Sequence, residues 1–254
     1  MQQDMKLRTF NTLTRSIQQI AVWIVMLALS PSAFANGPNQ EFSRTINREF
    51  EMNSNGMTAI YNKFGAVNVK TWNKNLVKID IVILVNAKDQ READKTFNRV
   101  KVNFAHTAGY VKAETMIQEK SAWWIEDNTC QDFKVNYDVW MPNNNQLDLK
   151  NKCGNSYVAV MSGKLTAEIK YGDLRTETIA NDADLHISYG KVYISRVNNL
   201  YGQVENGKLN VGDVRSVQFD SKNSEVRVDR AIKVRLISQN DDLVFGNIED
   251  LRLQ

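Results

Sequence analysis

Two adjacent tryptophans, Trp123 and Trp124, are the side chains best suited to bind a ligand. They occur in QEKSAWWIEDNTCQ, a polar segment that we predict to be a loop. Adjacent residues of an extended chain point to opposite sides, so at least one of the two rings would be exposed. An exposed indole can stack on a sugar ring or anchor a protein contact. The alternative is that the loop folds over the protein and buries both rings.

Cys130 and Cys153 are the only cysteines of the chain. A disulfide between them would close a loop of about two dozen residues and would stabilise the fold by ~3 kcal/mol in the chain-entropy model. The alternative is two separate thiols, one in a loop and one at a turn. Two cysteines and two distant histidines do not match the ligand spacing of a structural zinc site. We therefore predict neither a metal nor a cofactor.

Acidic and histidine side chains form no catalytic motif in the sequence. Asp182 and Asp184 lie near one expected corner of the chain, and Asp241 and Asp242 lie at another. Calcium would need roughly six to eight oxygen ligands, whereas Asp is common at corners simply because it tolerates turns. His186 lies between two apolar residues of a strand pattern and is expected to point to solvent. With no nucleophile, zinc or phosphate-loop motif present, we predict that the protein is not an enzyme.

The first residues have the pattern of an export signal. A basic start is followed by IAVWIVMLAL and then by the small residues of PSAFA. We predict a signal peptide over residues 1–35, and hence an exported bacterial protein in the periplasm or on the cell surface. The alternative is a retained N-terminal anchor, but the apolar run is shorter than the ~20 residues of a membrane span. The mature chain is expected to have no membrane span.

The net charge of the mature chain is close to zero. The sequence has 32 basic and 29 acidic residues, of which residues 1–35 contain three and one, so the remainder carries about +1. Nucleic acid binding depends on a strong positive field, which this balance does not build. We therefore predict no nucleic acid partner. The residues that remain are numerous enough for one domain with a substantial core.

A short unit repeats along the second half of the chain. The repeated turn pairs are Cys153-Gly154, Tyr171-Gly172, Tyr189-Gly190, Asn206-Gly207, Asn223-Ser224 and Asn240-Asp241. Their spacings are 18, 18, 17, 17 and 17 residues, and a fixed period of about this length indicates a solenoid. Apolar residues recur within the units at offsets 0, 2, 5, 8 and 10 from the first. Steps of two indicate extended chain, and steps of three indicate corners.

These patterns predict an all-β fold, a β-solenoid of the single-stranded β-helix type. Residues 146–254 are predicted to form regular coils of about 17 residues, stacked at ~4.8 Å. Residues 36–145 are predicted to form an N-terminal cap and a first irregular coil. Within this cap, apolar residues at helical spacing predict one short helix near residues 89–100.

Two further expectations concern the ends of the stack. Val77 and Ile79 extend the apolar series that follows Phe64-Gly65, so they are predicted to continue the first coil. The last coil, which finishes near Gln254, is expected to leave strand edges uncovered. Such edges can pair with another chain, so self-association through the C-terminal edge is predicted.

The order of these elements resembles a known family. The stretch FGAVNVKTWNKN, the helix, a strand that ends in MP and the repeated YG turns are similar to those of the DUF4097-type bacterial adhesin family. The resemblance covers nearly all of the mature chain and implies an exported envelope β-solenoid, with no catalytic motif to transfer.

Our first functional hypothesis is a non-enzymatic, adhesin-like protein that presents a surface for protein or cell-surface binding. The second is a glycan-binding or cell-wall-binding module that uses Trp123 and Trp124. A polysaccharide-active enzyme is third, and it would need carboxylates clustered along one outer row of the solenoid.

Overall fold

The apolar offsets of the repeat are the buried positions of the structure. The computed structural model describes residues 39–118 and 133–254. Within one repeat, Leu209, Val211, Val214, Val217 and Phe219 are at most 6% exposed, while the residues between them face outward or lie at corners. The chain forms a β-solenoid of about six turns with coils of about 17 residues, as predicted.

Sixteen strands and one helix occur in the described residues. Before the regular repeat they are β1 (Gln40–Glu51), β2 (Met57–Lys63), β3 (Val67–Trp72), β4 (Leu76–Ala87), α1 (Gln90–Arg99), β5 (Val100–Thr107), β6 (Tyr110–Ile117) and β7 (Phe133–Pro142). In the repeat they are β8 (Gln146–Lys152), β9 (Ser156–Val158), β10 (Leu165–Lys170), β11 (Leu174–Ile179), β12 (Ala183–Ser188), β13 (Lys191–Glu205), β14 (Lys208–Lys222), β15 (Glu225–Gln239) and β16 (Asp242–Leu253).

Each coil contributes one strand segment to each of two parallel stacks. Face A consists of β3, β9, β11 and the first halves of β13 to β16, and face B consists of β2, β8, β10, β12 and their second halves. The long strands run through the corner between the faces, where pairing is interrupted between Ser195 and Gly212 and between Asn198 and Arg215. These interruptions fall where the sequence takes steps of three.

The turns between face B and face A form a third stack, which we call the turn edge. Its first residues all have positive φ and are Phe64, Cys153, Tyr171, Tyr189, Asn206, Asn223 and Asn240. In five of these turns the next residue is a glycine, because the backbone of the neighbouring coil leaves no space for a side chain there. A Cβ atom at Gly172 would lie 2.1 Å from the carbonyl oxygen of Gly154 in the neighbouring coil. Glycine therefore allows successive turns to stack at the distance of the strands.

The N-terminal end departs from the regular coil. Strand β4 is antiparallel to β7, with Ile79 opposite Val139, and β1 is antiparallel to β4. The prediction that Val77 and Ile79 continue the first coil is therefore wrong. The physical reason is that β4 alternates buried and outward residues without a break from Val77 to Val85, so it lacks the step of three at which a coil turns its corner.

The predicted short helix is confirmed as α1. The Asp89 carboxylate caps it by accepting a hydrogen bond from the Glu92 N–H at 2.8 Å. Ala93 and Phe97 are buried and belong to the same hydrophobic core as the coils. Among the described residues, no helix has the length and hydrophobicity required to cross a membrane.

At the other end of the stack, β16 pairs only with β15 among the described strands. Leu251 and Leu253 occupy inward offsets but are 42% and 51% exposed, because no further coil covers them in the described chain. Self-association through this edge stays a prediction.

Candidate functional site

Most of the residues that the sequence singled out as candidate site residues fall in a segment that the structure does not describe. Trp123, Trp124 and Cys130 lie outside the described residues. Cys153 is on the turn edge with φ of +56°, half-buried against the hydrophobic core. The disulfide and the tryptophan binding site therefore stay predictions.

The candidate metal-binding aspartates have separate partners. Asp182 accepts a hydrogen bond from the Asn199 amide at 2.8 Å, and Asp184 lies 3.6 Å from the Nε2 atom of His186, whose side chain faces solvent as expected. In the part of the chain that the structure describes, no three His, Cys, Asp or Glu side chains are grouped as metal ligands would be.

Asp241 stabilises the last turn of the described coils. Its carboxylate accepts hydrogen bonds from the hydroxyls of Ser221 at 2.6 Å and Ser238 at 2.7 Å, and from the N–H groups of Ser224 and Gln239. Burial by itself raises the pKa of Asp241, but these four hydrogen bonds outweigh it and hold the pKa below its usual range. The carboxylate therefore holds neighbouring coils together.

A groove with a volume of about 900 Å³ runs along the corner between faces A and B. We call it the corner groove. Its floor is the inward-facing row Ile179, Val197, Val214, Ala231 and Ile248. Its two rims are the rows Thr178, Arg196, Asp213, Arg230, Asn247 and Ala180, Asn198, Arg215, Ile232, Glu249. Five successive coils at ~4.8 Å make the groove roughly 19 Å long.

A ladder of charges forms one rim of this groove. The carboxylate of Asp213 pairs with Arg230 in one neighbouring coil and with Arg196 in the other, the latter at 3.2 Å. The Arg230 hydrogen bond first, and Arg196 second, hold the pKa of Asp213 below its usual range. Both arginine side chains are about two-thirds exposed, so they keep N–H donors for a partner. On the other rim, Arg215 is exposed and makes no ion pair with a described residue.

The turn edge presents a second ordered surface. The rings of Tyr171 and Tyr189 stack with centroids 5.1 Å apart and form a short aromatic ladder. In the following coils, the side-chain amide of Asn223 donates to the amide oxygen of Asn206 at 3.4 Å, and that of Asn240 donates to Asn223 at the same distance. Stacking between these side chains favours a structural role for this edge.

Comparisons with known proteins leave the family open. No protein-family model matches the sequence, and no curated protein is significantly similar to it. The solved structures that are similar to this chain include a candidate adhesin from Bacteroides fragilis, with a TM-score of 0.48, 10% identity and coverage of 80% of this chain and 97% of that one.

Two other solved structures are similar at lower scores. A candidate cell adhesion protein from Clostridium sporogenes has a TM-score of 0.31 and 8% identity, covering 84% of this chain and 100% of its own. A candidate lipid-binding protein from Parabacteroides distasonis has a TM-score of 0.33 and 9% identity, covering 82% and 97%. Identities this low do not transfer a ligand or a partner from one protein to another.

A charged cluster surrounds Tyr61 on face B. The Tyr61 hydroxyl donates to Asp148 at 2.6 Å, while the ammonium groups of Lys112 and Lys150 lie 4.7 and 5.4 Å from its ring centre. Burial first, and the Asp148 hydrogen bond second, raise the pKa of Tyr61. Both lysines also pair with acidic residues, so the cluster satisfies its own charges and serves to join coils.

Sequence reasoning missed a depression on face A, which we call the Tyr193 depression. It has a volume of about 410 Å³, and its outward-facing lining includes Arg175, Tyr193, Asn210, Gly212, Arg227 and Asp229. A signal for it existed, because Tyr157, Arg175 and Tyr193 occupy the same outward offset in successive units. These residues form a depression only because the strand register places Gly212 in the coil next to Tyr193.

Proposed function

We propose that the chain is an exported, non-enzymatic, adhesin-like protein that binds a protein partner at the bacterial cell envelope through the corner groove. The observation that carries this proposal is the shape of the groove, which is open, crosses five coils and runs along the solenoid axis. A groove of this length suits an extended partner segment better than a small substrate, which is usually held in a concave pocket.

The composition of the groove favours a partner with apolar and acidic side chains. Ile232 on the rim is 51% exposed, and an apolar side chain of a partner would cover it. The rims carry three arginines against Asp213 and Glu249, so their charge is positive. Such a rim steers an acidic segment toward the groove and sets its orientation.

The proposed location follows from the N-terminal sequence. The basic start, the apolar run and the small residues before Asn36 favour export, after which the solenoid would face the periplasm or the outside of the cell. The proposal that the protein is not an enzyme is supported by the described aspartates, since Asp182, Asp213 and Asp241 are each engaged in bonds between coils.

A crosslinking pull-down from intact cells, followed by mass spectrometry, tests this function. The mature protein should capture a reproducible protein partner. A variant with Arg196→Glu and Arg230→Glu should lose this partner, because both changes reverse the charge of the rim. The matched control is Lys222→Glu with Arg235→Glu on face B, which changes the net charge equally and should retain the partner. Retention by both variants would reject the corner groove.

The second candidate is glycan binding, which the exposed ring of Tyr193 on face A favours. The predicted tryptophan site belongs to this alternative. Replacement of Trp123 and Trp124 by Ala should abolish capture of cell-wall or polysaccharide material while the far-ultraviolet circular dichroism of the solenoid stays unchanged. Capture of polysaccharide without any protein would place this function first.

A further inference from the structure

We infer that the Tyr193 depression on face A is a saccharide-binding site that prefers a sugar bearing a carboxylate. The site shares no lining residue with the corner groove, and the inference goes beyond the protein-binding function proposed above. The outward row that contains Tyr193, the space above Gly212 and the charges around them support this assignment.

The outward row of face A contains two aromatic and two cationic side chains. Tyr157, Arg175, Tyr193, Asn210 and Arg227 are direct neighbours in successive coils of face A. With a coil spacing of ~4.8 Å, the two tyrosines are separated by ~10 Å and Arg175 lies between them. Tyr193 is 44% exposed, so a large part of its ring is open to a ligand.

Gly212 creates the space beside this row. A Cβ atom at Gly212 would lie 2.5 Å from the carbonyl oxygen of Ser195, so the close approach of the two coils excludes a side chain there. Flanking outward positions carry Ser195 and Asp229, and the missing side chain leaves a depression between them. The depression is therefore a fixed consequence of the backbone and does not depend on a mobile loop.

The lining has the chemistry that recognises sugars. A pyranose ring presents C–H groups on its face and hydroxyls around its rim, so it needs an aromatic surface and several hydrogen-bonding groups together. Tyr193 supplies the aromatic surface, and Asn210, Arg227 and Asp229 supply amide, guanidinium and carboxylate groups.

The charge around the depression favours an acidic sugar. Arg227 is paired with Asp229 at 2.9 Å, and Glu177 accepts a hydrogen bond from the Tyr157 hydroxyl. Glu177 is not part of the lining, in which Arg175 and Arg227 are opposed by Asp229 alone, so the lining carries one net positive charge. Arg175 is exposed and makes no ion pair with a described residue. A guanidinium binds a carboxylate through two parallel hydrogen bonds, and we assign this role to Arg175.

Calorimetric titration of the mature protein tests the site. The probes are tetrasaccharides of hyaluronan and of oligogalacturonate, both acidic, and chitotetraose, which is neutral. We expect both acidic probes to bind about tenfold or more tightly than the neutral one, and Tyr193→Ala to weaken each by about tenfold. Arg175→Gln should remove the preference for acidic probes while the neutral probe binds as before.

Tyr201→Ala is the matched control, because Tyr201 is a similarly exposed tyrosine on face B. It should bind all three probes as the parent protein does. The Arg196→Glu, Arg230→Glu variant should also keep its saccharide binding, which separates this inference from the corner groove. No binding of any probe, equal binding of acidic and neutral probes, or equal losses in the Tyr193 and Tyr201 variants would overturn the inference.

Discussion

The phenol ring of Tyr171 lies on that of Tyr189 at an interplanar angle of 18°, although both residues have positive φ. The left-handed conformation costs a residue with a Cβ atom roughly 1–2 kcal/mol, and stacking of the two rings offsets about half of one such cost. Asparagine takes the same place in the next coils because its short polar side chain tolerates this conformation. The turn edge is therefore built by two kinds of side chain for different reasons.

Asn223 lies on the turn edge with a φ of +49°, so we expect its replacement by alanine and by glycine to have different effects on stability. Asn223→Ala should lower the free energy of unfolding by about 1 kcal/mol, because alanine disfavours positive φ and lacks the amide that bonds to Asn206. Asn223→Gly should change it by less than about 0.5 kcal/mol. Urea unfolding followed by circular dichroism measures both. Equal losses would show that the side chain, not the backbone conformation, matters here.

Close stacking of the turns predicts that Gly172 cannot be replaced. Gly172→Ala should cost about 3 kcal/mol or more, because the new methyl group meets the backbone of Gly154 and cannot move aside. Gly109→Ala is the control, since a Cβ atom there meets nothing within 4 Å, and it should stay within about 0.5 kcal/mol of the parent. Thermal unfolding of the two variants gives the answer. A tolerated Gly172→Ala would mean that the turns can separate.

The repeat could be predicted in detail from the sequence because its information is local. Leu209, Val211 and Val214 show the alternation and the corner by their spacing alone. The path of β4 could not be predicted in this way. Alternation at Val77 and Ile79 is the same in a parallel and an antiparallel pair, and the choice depends on where β7 returns in space.

The candidate sites were harder to predict than the repeat, because they too depend on contacts between residues that are far apart in the sequence. Arg196, Asp213 and Arg230 are separated by 17 residues each, so their ladder exists only once the register is known. Likewise, Gly212 opens a depression only because Tyr193 lies in the coil beside it. Trp123 and Trp124 were conspicuous in the sequence because of their type, which carries no information about what surrounds them.

The charge ladder predicts a measurable titration of Asp213. Its folded pKa lies below the ordinary value of 3.8, so this carboxylate stabilises the fold above that pH. The stabilisation is lost as the pH falls through the lower, folded value. Carbon NMR of the side-chain carboxyl should show this pKa rising in Arg230→Gln. Arg252→Gln, which removes a partner of Asp250 instead, should leave it unchanged. Equal titration in the parent and Arg230→Gln proteins would disprove the ladder.

Cys130 and Cys153 are predicted to form a disulfide in the exported protein. Protein secreted through an oxidising compartment should show no reactive thiol until it is denatured and reduced, when two should appear. Cys130→Ser with Cys153→Ser should lower the free energy of unfolding by ~3 kcal/mol, and reductant should destabilise the parent but not the variant. Thiol titration with mass spectrometry provides the measurement. Two reactive thiols in the native oxidised protein would contradict the pairing.

Self-association is predicted at the edge of β16 that pairs with no described strand. Sedimentation velocity of the mature protein should show a dimer that grows with concentration. Leu251→Lys with Leu253→Lys should keep the protein monomeric, because charges on an exposed edge oppose pairing with another strand. The control is Ile232→Lys in the corner groove, which adds a charge at an equally exposed apolar residue away from this edge. A monomer at all concentrations would rule out this association.

The constant register of β13, β14 and β15 gives the molecule a unit of length. Lys191 faces Lys208, and Lys208 faces Glu225, so each step along the stack is the same 17-residue interval. Removal or duplication of the interval between Asn206 and Asn223 would leave every other strand with an equivalent neighbour. Duplication or deletion of this interval in the gene can therefore lengthen or shorten the solenoid in increments of ~4.8 Å, while the distance between neighbouring coils stays the same.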